Sequence, residues 1–225
     1  IHTATRFKAS YGTGFRAPSL YEVDYNSGPW AFSPASNTQL KEETSEGYEY
    51  GLEFMGHDKV SGEVIFFEQE IDDAIYFDLA GYSGYLQETG KSKSTGVEFN
   101  GSYILSDSLA FKANYTYNDT ERPNGLQRLR RPEKLGNIGI NYQNDTGKFR
   151  LNSFYRMSKN SIDERFGNLI GLDDFEVLDI SMSYRITPEI EIFARIENVL
   201  DEKYEEVLGY QTPRRGSYLG FRVSM

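Results

Sequence analysis

Aromatic side chains carry the clearest chemical signal in this sequence. Tyr21, Tyr25, Trp30 and Phe32 fall in one stretch, Tyr76, Phe77, Tyr82 and Tyr85 in a second, and Tyr210 in a third; the first stretch is too polar and too rich in Gly, Pro, Ser and Asn to be a strand. On exposed loops such rings offer large contact area at low entropy cost, the usual device of a binding surface. Packing of the loops against one another would use the same rings equally well. The carboxylate pairs Asp72/Asp73 and Asp173/Asp174 supply the hard oxygen ligands that calcium prefers, without EF-hand spacing. Solvated loops are the simpler expectation for them, and loop-bound calcium the alternative. Catalysis finds little footing. The histidines are His2 and His57, neither beside a Ser or Asp in a nucleophile motif, and no phosphate loop or zinc-spaced His/Glu motif occurs. With no cysteine there is no thiolate, disulfide or Cys-based metal site. The expectation is a non-enzyme without a resident cofactor.

The elements that must position these rings alternate with period 2. One face of each segment is apolar or aromatic: Thr5/Phe7/Ala9/Tyr11, Tyr48/Tyr50/Leu52/Phe54, Val60/Gly62/Val64/Phe66, Val97/Phe99/Gly101/Tyr103 and Leu109/Phe111/Ala113/Tyr115/Tyr117. The pattern continues through Ile138/Ile140/Tyr142, Phe149/Leu151/Ser153/Tyr155, Leu178/Ile180/Met182/Tyr184, Ile190/Ile192/Ala194/Ile196 and Leu219/Phe221/Val223/Met225. This predicts an all-β chain of about ten antiparallel strands, with almost no helical periodicity. The opposite face carries Arg6, Lys8, Glu49, Glu53, Glu63, Glu98, Asn100, Lys112, Asn114, Asn141, Arg150, Arg195, Glu197 and Arg222, so it must be wet. Lumenal ion pairs between Arg150, Arg195, Arg222 and Glu49, Glu98, Glu197 are expected.

Connections decide between a sandwich and a barrel. Tight turns at 57–59, 106–108, 144–147 and 187–189 alternate with long stretches at roughly 16–45, 72–92, 118–131, 158–173 and 199–214, well beyond hairpin length. Short turns on one rim and long loops on the other are the build of an outer-membrane barrel, periplasmic and extracellular respectively. Tyrosines near the strand ends, such as Tyr11, Tyr48, Tyr142 and Tyr184, suit a membrane interface where the ring is buried and the hydroxyl wet. Composition agrees. No run approaches the roughly 18 apolar residues of a membrane helix, which excludes membrane helices but not membrane strands. The net charge of −10 and the lack of a basic cluster make nucleic acid an unlikely partner.

Several segments resemble TonB-dependent outer-membrane transporters. Gly14-Phe15-Arg16-Ala17-Pro18-Ser19-Leu20-Tyr21-Glu22 is similar to their strand-to-loop element. Leu40-Lys41-Glu42-Glu43 resembles the leucine-lysine-proline-glutamate element that opens the next strand, with Glu42 in place of proline, and Gly96-Val97-Glu98 matches a recurrent strand start. The run Ile196-Glu197-Asn198-Val199-Leu200-Asp201 through Arg215 is similar to the penultimate strand and last loop. Its Gly209-Tyr210-Gln211-Thr212 portion resembles the cobalamin-transporter branch, and Arg214 stands where a glycine usually precedes Arg215. The last strand, with Tyr218, Gly220, Val223 and Met225, resembles the signal read by the barrel-assembly machinery, Met225 replacing the usual aromatic and expected to be the natural end.

The resemblance implies residues 1–225 as the C-terminal part of a barrel of about 22 strands, preceded in the family by earlier strands and a plug that engages the TonB complex. It implies residence in the bacterial outer membrane, among its lipid and lipopolysaccharide, and uptake of a scarce metal-chelate ligand such as a cobalamin or ferric siderophore. Against it stands a self-contained ten-stranded pore or adhesin.

Overall fold

The computed structural model describes residues 3–27, 39–56 and 59–224. Ten long strands form one antiparallel sheet: β1 (Thr3–Arg16), β2 (Glu43–Gly56), β3 (Val60–Asp72), β6 (Lys91–Ser106), β7 (Leu109–Glu121), β8 (Lys134–Gln143), β9 (Phe149–Lys159), β12 (Phe175–Arg185), β13 (Ile190–Glu197) and β16 (Gly216–Val223). Each pairs with the next in that order, an up-and-down meander. Between them lie one helix, α1 (Leu20–Ser27), and three short hairpins. These are β4 (Ile75–Phe77) with β5 (Tyr85–Gln87), β10 (Ile162–Arg165) with β11 (Asn168–Gly171), and β14 (Glu205–Val207) with β15 (Tyr210–Gln211). No described helix is long and apolar enough to cross a membrane, which says nothing about strands.

Register keeps the apolar set on one face from end to end, because a slip by one residue would turn every side chain over. Phe7, Leu52, Val64, Phe99 and Tyr115 stand opposite one another in neighbouring strands, and so do Ile138, Tyr155 and Leu178, then Met182, Ala194 and Leu219. Among the described residues none covers this face: Leu52 is 55% exposed and Phe221 73%. Buried hydrophobic side chains among the described residues are Phe175, Val177 and Tyr204, which lie beneath the loops. A soluble sandwich would have packed the apolar rows together, whereas a lipid-facing wall leaves them bare.

The other face is polar, as the charges require. Arg6, Glu53, Glu63, Asn100, Asn114 and Asn137 form one continuous row across six strands. Directly opposed Glu53 and Glu63 would repel; the Lys8 ammonium sits 3.3 and 2.5 Å from them and offsets this. The ion pairs differ in part from those expected. Arg195 does meet Glu197 at 3.2 Å, but Arg222 pairs with Glu191 at 2.9 Å, Glu49 accepts from Ser10, and among the described residues Arg150 makes no ion pair. Partners lie on the same strand for Arg195, on the adjacent strand for Arg222 and two strands away for Lys8 and Glu63, a choice that alternation alone does not specify.

All described long connections, 17–42, 73–90, 122–133, 160–174 and 198–215, leave from one rim, and the tight turns from the other. Among the described residues the sheet ends at β1 and β16, which pair with β2 and β13. On β16, Tyr218 and Gly220 face inward: the Arg195 guanidinium lies 4.7 Å from the Tyr218 ring, and a Cβ on Gly220 would meet the Phe193 ring at 2.5 Å. Val223 faces outward; Met225, like His2 and His57, lies outside the described residues.

Candidate functional site

The long-connection rim is built around side chains that bond to backbone. Helix α1 departs from the expectation of no helix, and its cause is local. Ser19 caps it, its hydroxyl accepting from the Glu22 N–H at 3.2 Å while the Glu22 carboxylate accepts from the Ser19 N–H at 2.6 Å, a reciprocal capping box. The Ser19-x-x-Glu22 spacing was the signal in the sequence. Burial pushes the Glu22 carboxyl up, but the Ser19 N–H and the Arg16 guanidinium, 3.0 Å away, outweigh it and hold the carboxyl below its usual range.

At the far end of α1, buried Asn26 donates from Nδ2 to the Tyr85 carbonyl at 2.5 Å and accepts from the Tyr85 N–H at 2.6 Å. The helix is thereby pinned to the β4–β5 hairpin. Gly84, at φ +120°, lets the backbone pass: a Cβ there would stand 2.2 Å from Asn26 Oδ1. The tip of this hairpin is organised by Asp78, which accepts from the N–H groups of Ala80, Gly81 and Ser83 and from the Ser83 hydroxyl at 2.6–3.3 Å. Burial raises the Asp78 pKa, and those donors, Gly81 first, lower it further than burial raises it.

These supports gather the aromatic residues. Tyr25 contacts Tyr21, Phe77 and Tyr85 at ring distances of 5.9, 5.5 and 5.8 Å; Phe77 contacts Tyr82 at 6.0 Å; Tyr82 reaches Phe166 of the fourth connection at 5.9 Å. Tyr76 points elsewhere on the hairpin, its ring 5.4 Å from the Arg122 guanidinium. Arg122 also pairs with Glu88 at 2.6 Å, both largely buried, joining the second connection to the third.

A second cluster holds the remaining connections. Asp163 on β10 is fully buried; Arg130 Nε donates to both its oxygens at 3.0 Å, and the N–H groups of Glu164 and Leu208 complete its bonds at 2.8 and 2.9 Å. In the fifth connection, buried Asn198 donates to the Glu202 carbonyl and accepts from the Glu202 N–H, both at 2.8 Å. Asp201 receives the Arg214 fork at 3.0 and 2.7 Å. Arg214, where glycine was usual, thus closes the loop by an ion pair. Beneath, Tyr204 stacks on Phe175 at 4.1 Å.

Between the two clusters lies a cleft of about 810 Å³ lined by Leu79, Tyr82, Glu164, Arg165 and residues 206–213, including Tyr210, which is 74% exposed. Tyr21, Tyr25, Tyr82 and Tyr85 are brought together as one aromatic group, of which Tyr82 lines the cleft together with Tyr210; Trp30 and Phe32 lie outside the described residues. Sequence reading missed Phe166, Asn26, Asp78 and Asp163, for which no local motif exists. In each carboxylate pair one member has a protein partner: Asp72 lies 4.0 Å from Lys91, and Asp174 accepts from the Asn160 N–H at 2.9 Å. Among the described residues no group of three or more His or carboxylate side chains is placed to hold a metal.

Residues 2–199 match the family described as TonB dependent receptor-like, beta-barrel. The chain belongs to the TonB-dependent receptor β-barrel family. Among curated relatives, the Vitamin B12 transporter BtuB of Vibrio cholerae serotype O1 is 26% identical over 94% of this chain and 33% of its own length. That of Photobacterium profundum is 26% identical over 97% of this chain and 35% of its own. The chain therefore spans about a third of the length of these relatives. Among solved structures, the copper transporter OprC superposes with a TM-score of 0.77 at 19% identity, over 98% of this chain and 37% of that one. Pseudomonas aeruginosa FpvA bound to pyoverdines gives 0.77 at 18%, over 97% and 31%. At such identities the superpositions establish the receptor barrel fold for the ten-stranded sheet. These relatives and neighbours are named as transporters and receptors.

Proposed function

We propose that the chain is the C-terminal barrel part of an outer-membrane receptor that captures a metal-chelate ligand, a cobalamin or a ferric siderophore, and imports it with energy drawn from the TonB complex through a plug. The single observation that carries this reading is the cleft at the long-connection rim, to which Tyr82 and Tyr210 contribute, standing on a sheet whose outer apolar rows are exposed. Short turns then face the periplasm and the cleft faces outward. Tyr82 and Tyr210 offer flat apolar faces with polar rims, suited to a bulky conjugated ligand, and the paired charges around them, Arg130 with Asp163 and Arg156 with Glu206, leave little net charge to repel one. The relatives named for vitamin B12 favour a cobalamin over the siderophores named among the structural neighbours. Lipid and lipopolysaccharide would contact the outward rows, and the barrel-assembly machinery would read β16. Calcium bound in the loops would be an accessory, with Asp72, Asp73, Asp173 and Asp174 as its ligands.

The test is binding of radiolabelled cyanocobalamin, and of a panel of ferric siderophores, to cells that lack their own receptors and express the full receptor. Saturable binding lost in a Tyr82→Ala/Tyr210→Ala double variant supports the reading. Ion conductance in planar bilayers with no binding of any chelate would favour the self-contained pore.

A further inference from the structure

The base and the tip of the fifth connection are held by different means. Its base is fixed by Asn198, by Tyr204 stacked on Phe175, and by the Arg156–Glu206 pair at 3.0 Å. Its tip, the turn between β14 and β15 that carries Gly209 and Tyr210, reaches a neighbouring connection through the Leu208 N–H, which donates to Asp163 Oδ2 at 2.9 Å. The same carboxylate takes Arg130 from the third connection, and Arg130 is held in place by its own N–H on the Ile162 carbonyl at 2.8 Å and by a left-handed backbone at φ 56°.

We propose that Asp163 is the positioning residue of the cleft, locking the third, fourth and fifth connections into one wall so that Tyr210 meets a ligand in a fixed orientation. The ligand part of this inference rests on the reading of the cleft given above. The physical ground is twofold. A fully buried carboxylate is costly unless every lone pair is used, and here two oxygens receive Arg130, Glu164 and Leu208 from three connections, so the group is stable only when all three are in place. In turn, a wall assembled before binding spares the ligand the entropy of ordering the loops.

These 225 residues have no cysteine of their own, so the signal of a spin-labelled cysteine pair introduced here is read as the difference from the same membranes without the pair. One pair, at Asn168 and Gln211, spans the wall, and a control pair, at Asp107 and Thr146, spans two tight turns on the opposite rim. Both are measured in the full receptor in isolated outer membranes. The unmodified wall gives one narrow distance distribution. Asp163→Asn, which keeps shape but loses charge, broadens it while the control pair stays narrow. Leu208→Pro removes the N–H that reaches Asp163, together with the leucine side chain and backbone freedom there, and leaves the Arg130–Asp163 pair whole; it broadens the wall in the same way. Where the receptor binds cyanocobalamin, both variants weaken that binding about tenfold, the loss expected when a preorganised wall must order on binding. A wall distribution that stays narrow in both variants overturns the proposal, and so does equal broadening of the control pair, which would make Asp163 a general structural residue. Failure of the unmodified receptor to bind any chelate would count against the ligand reading alone, since the distances do not depend on it.

Discussion

The side-chain amide of Asn26 pairs with both backbone groups of Tyr85, as a neighbouring strand would, although the residues lie 59 positions apart. One buried amide thus couples the first long connection to the second and sets where Tyr21 and Tyr25 meet Phe77 and Tyr85.

Asn26→Ala leaves the Tyr85 N–H and carbonyl without these partners, a penalty of about 1–3 kcal/mol for buried polar groups. Hydrogen exchange at the Tyr85 amide should accelerate accordingly. Gly84→Ala pushes a methyl group to 2.2 Å from Asn26 Oδ1 at a φ of +120°, so it should break the same contact. Because the two changes share that contact but not the backbone strain at position 84, the double variant should exchange less fast than the sum of the single effects; fully additive effects would show that Gly84 and Asn26 act separately.

Acid should leave the β4–β5 tip intact longer than a free aspartate would. Asp78 has a folded pKa below its usual value, so its stabilisation is fully present above the usual aspartate range near 3.9 and is lost only as pH falls through the lower folded value. Exchange of the Gly81 and Ser83 amides should stay slow through about pH 4 and rise below it. Asp78→Asn should be fast at neutral pH.

Charge on the two faces of the sheet should have opposite consequences. Leu52→Arg places a guanidinium on the bare apolar face and should cost about 2–4 kcal/mol near the membrane centre, whereas Asn114→Arg adds a charge to an already polar row and should be tolerated. The yield of folded receptor in outer membranes, judged by the mobility difference between unheated and boiled samples, separates them.

The wall was legible in the sequence because its information is local: period-2 rows such as Val64/Phe66 against Glu63 define a strand without knowledge of its neighbours. The rim was legible only in outline. Its rings could be named, but their grouping depends on Asn26 reaching Tyr85 and Asp163 reaching Arg130 and Leu208, contacts 59, 33 and 45 residues apart that no spacing rule encodes. The eight-residue helix α1 is too short to show its own periodicity, and the Ser19-x-x-Glu22 spacing was its one local signal.

The central claim is that this sheet spans a bilayer with its cleft outside. Single cysteines in the cysteine-free chain test it directly, at Tyr210 on the long-connection rim, at Leu52 on the apolar face and at Asp107 in a tight turn, each in the full receptor in intact cells. A membrane-impermeant maleimide should label Tyr210→Cys on whole cells and Asp107→Cys only after the outer membrane is breached, while a fluorophore at Leu52→Cys should be quenched by lipid-confined quenchers. Equal labelling of both rims on intact cells, or a Leu52 site insensitive to lipid quenchers, would contradict the account.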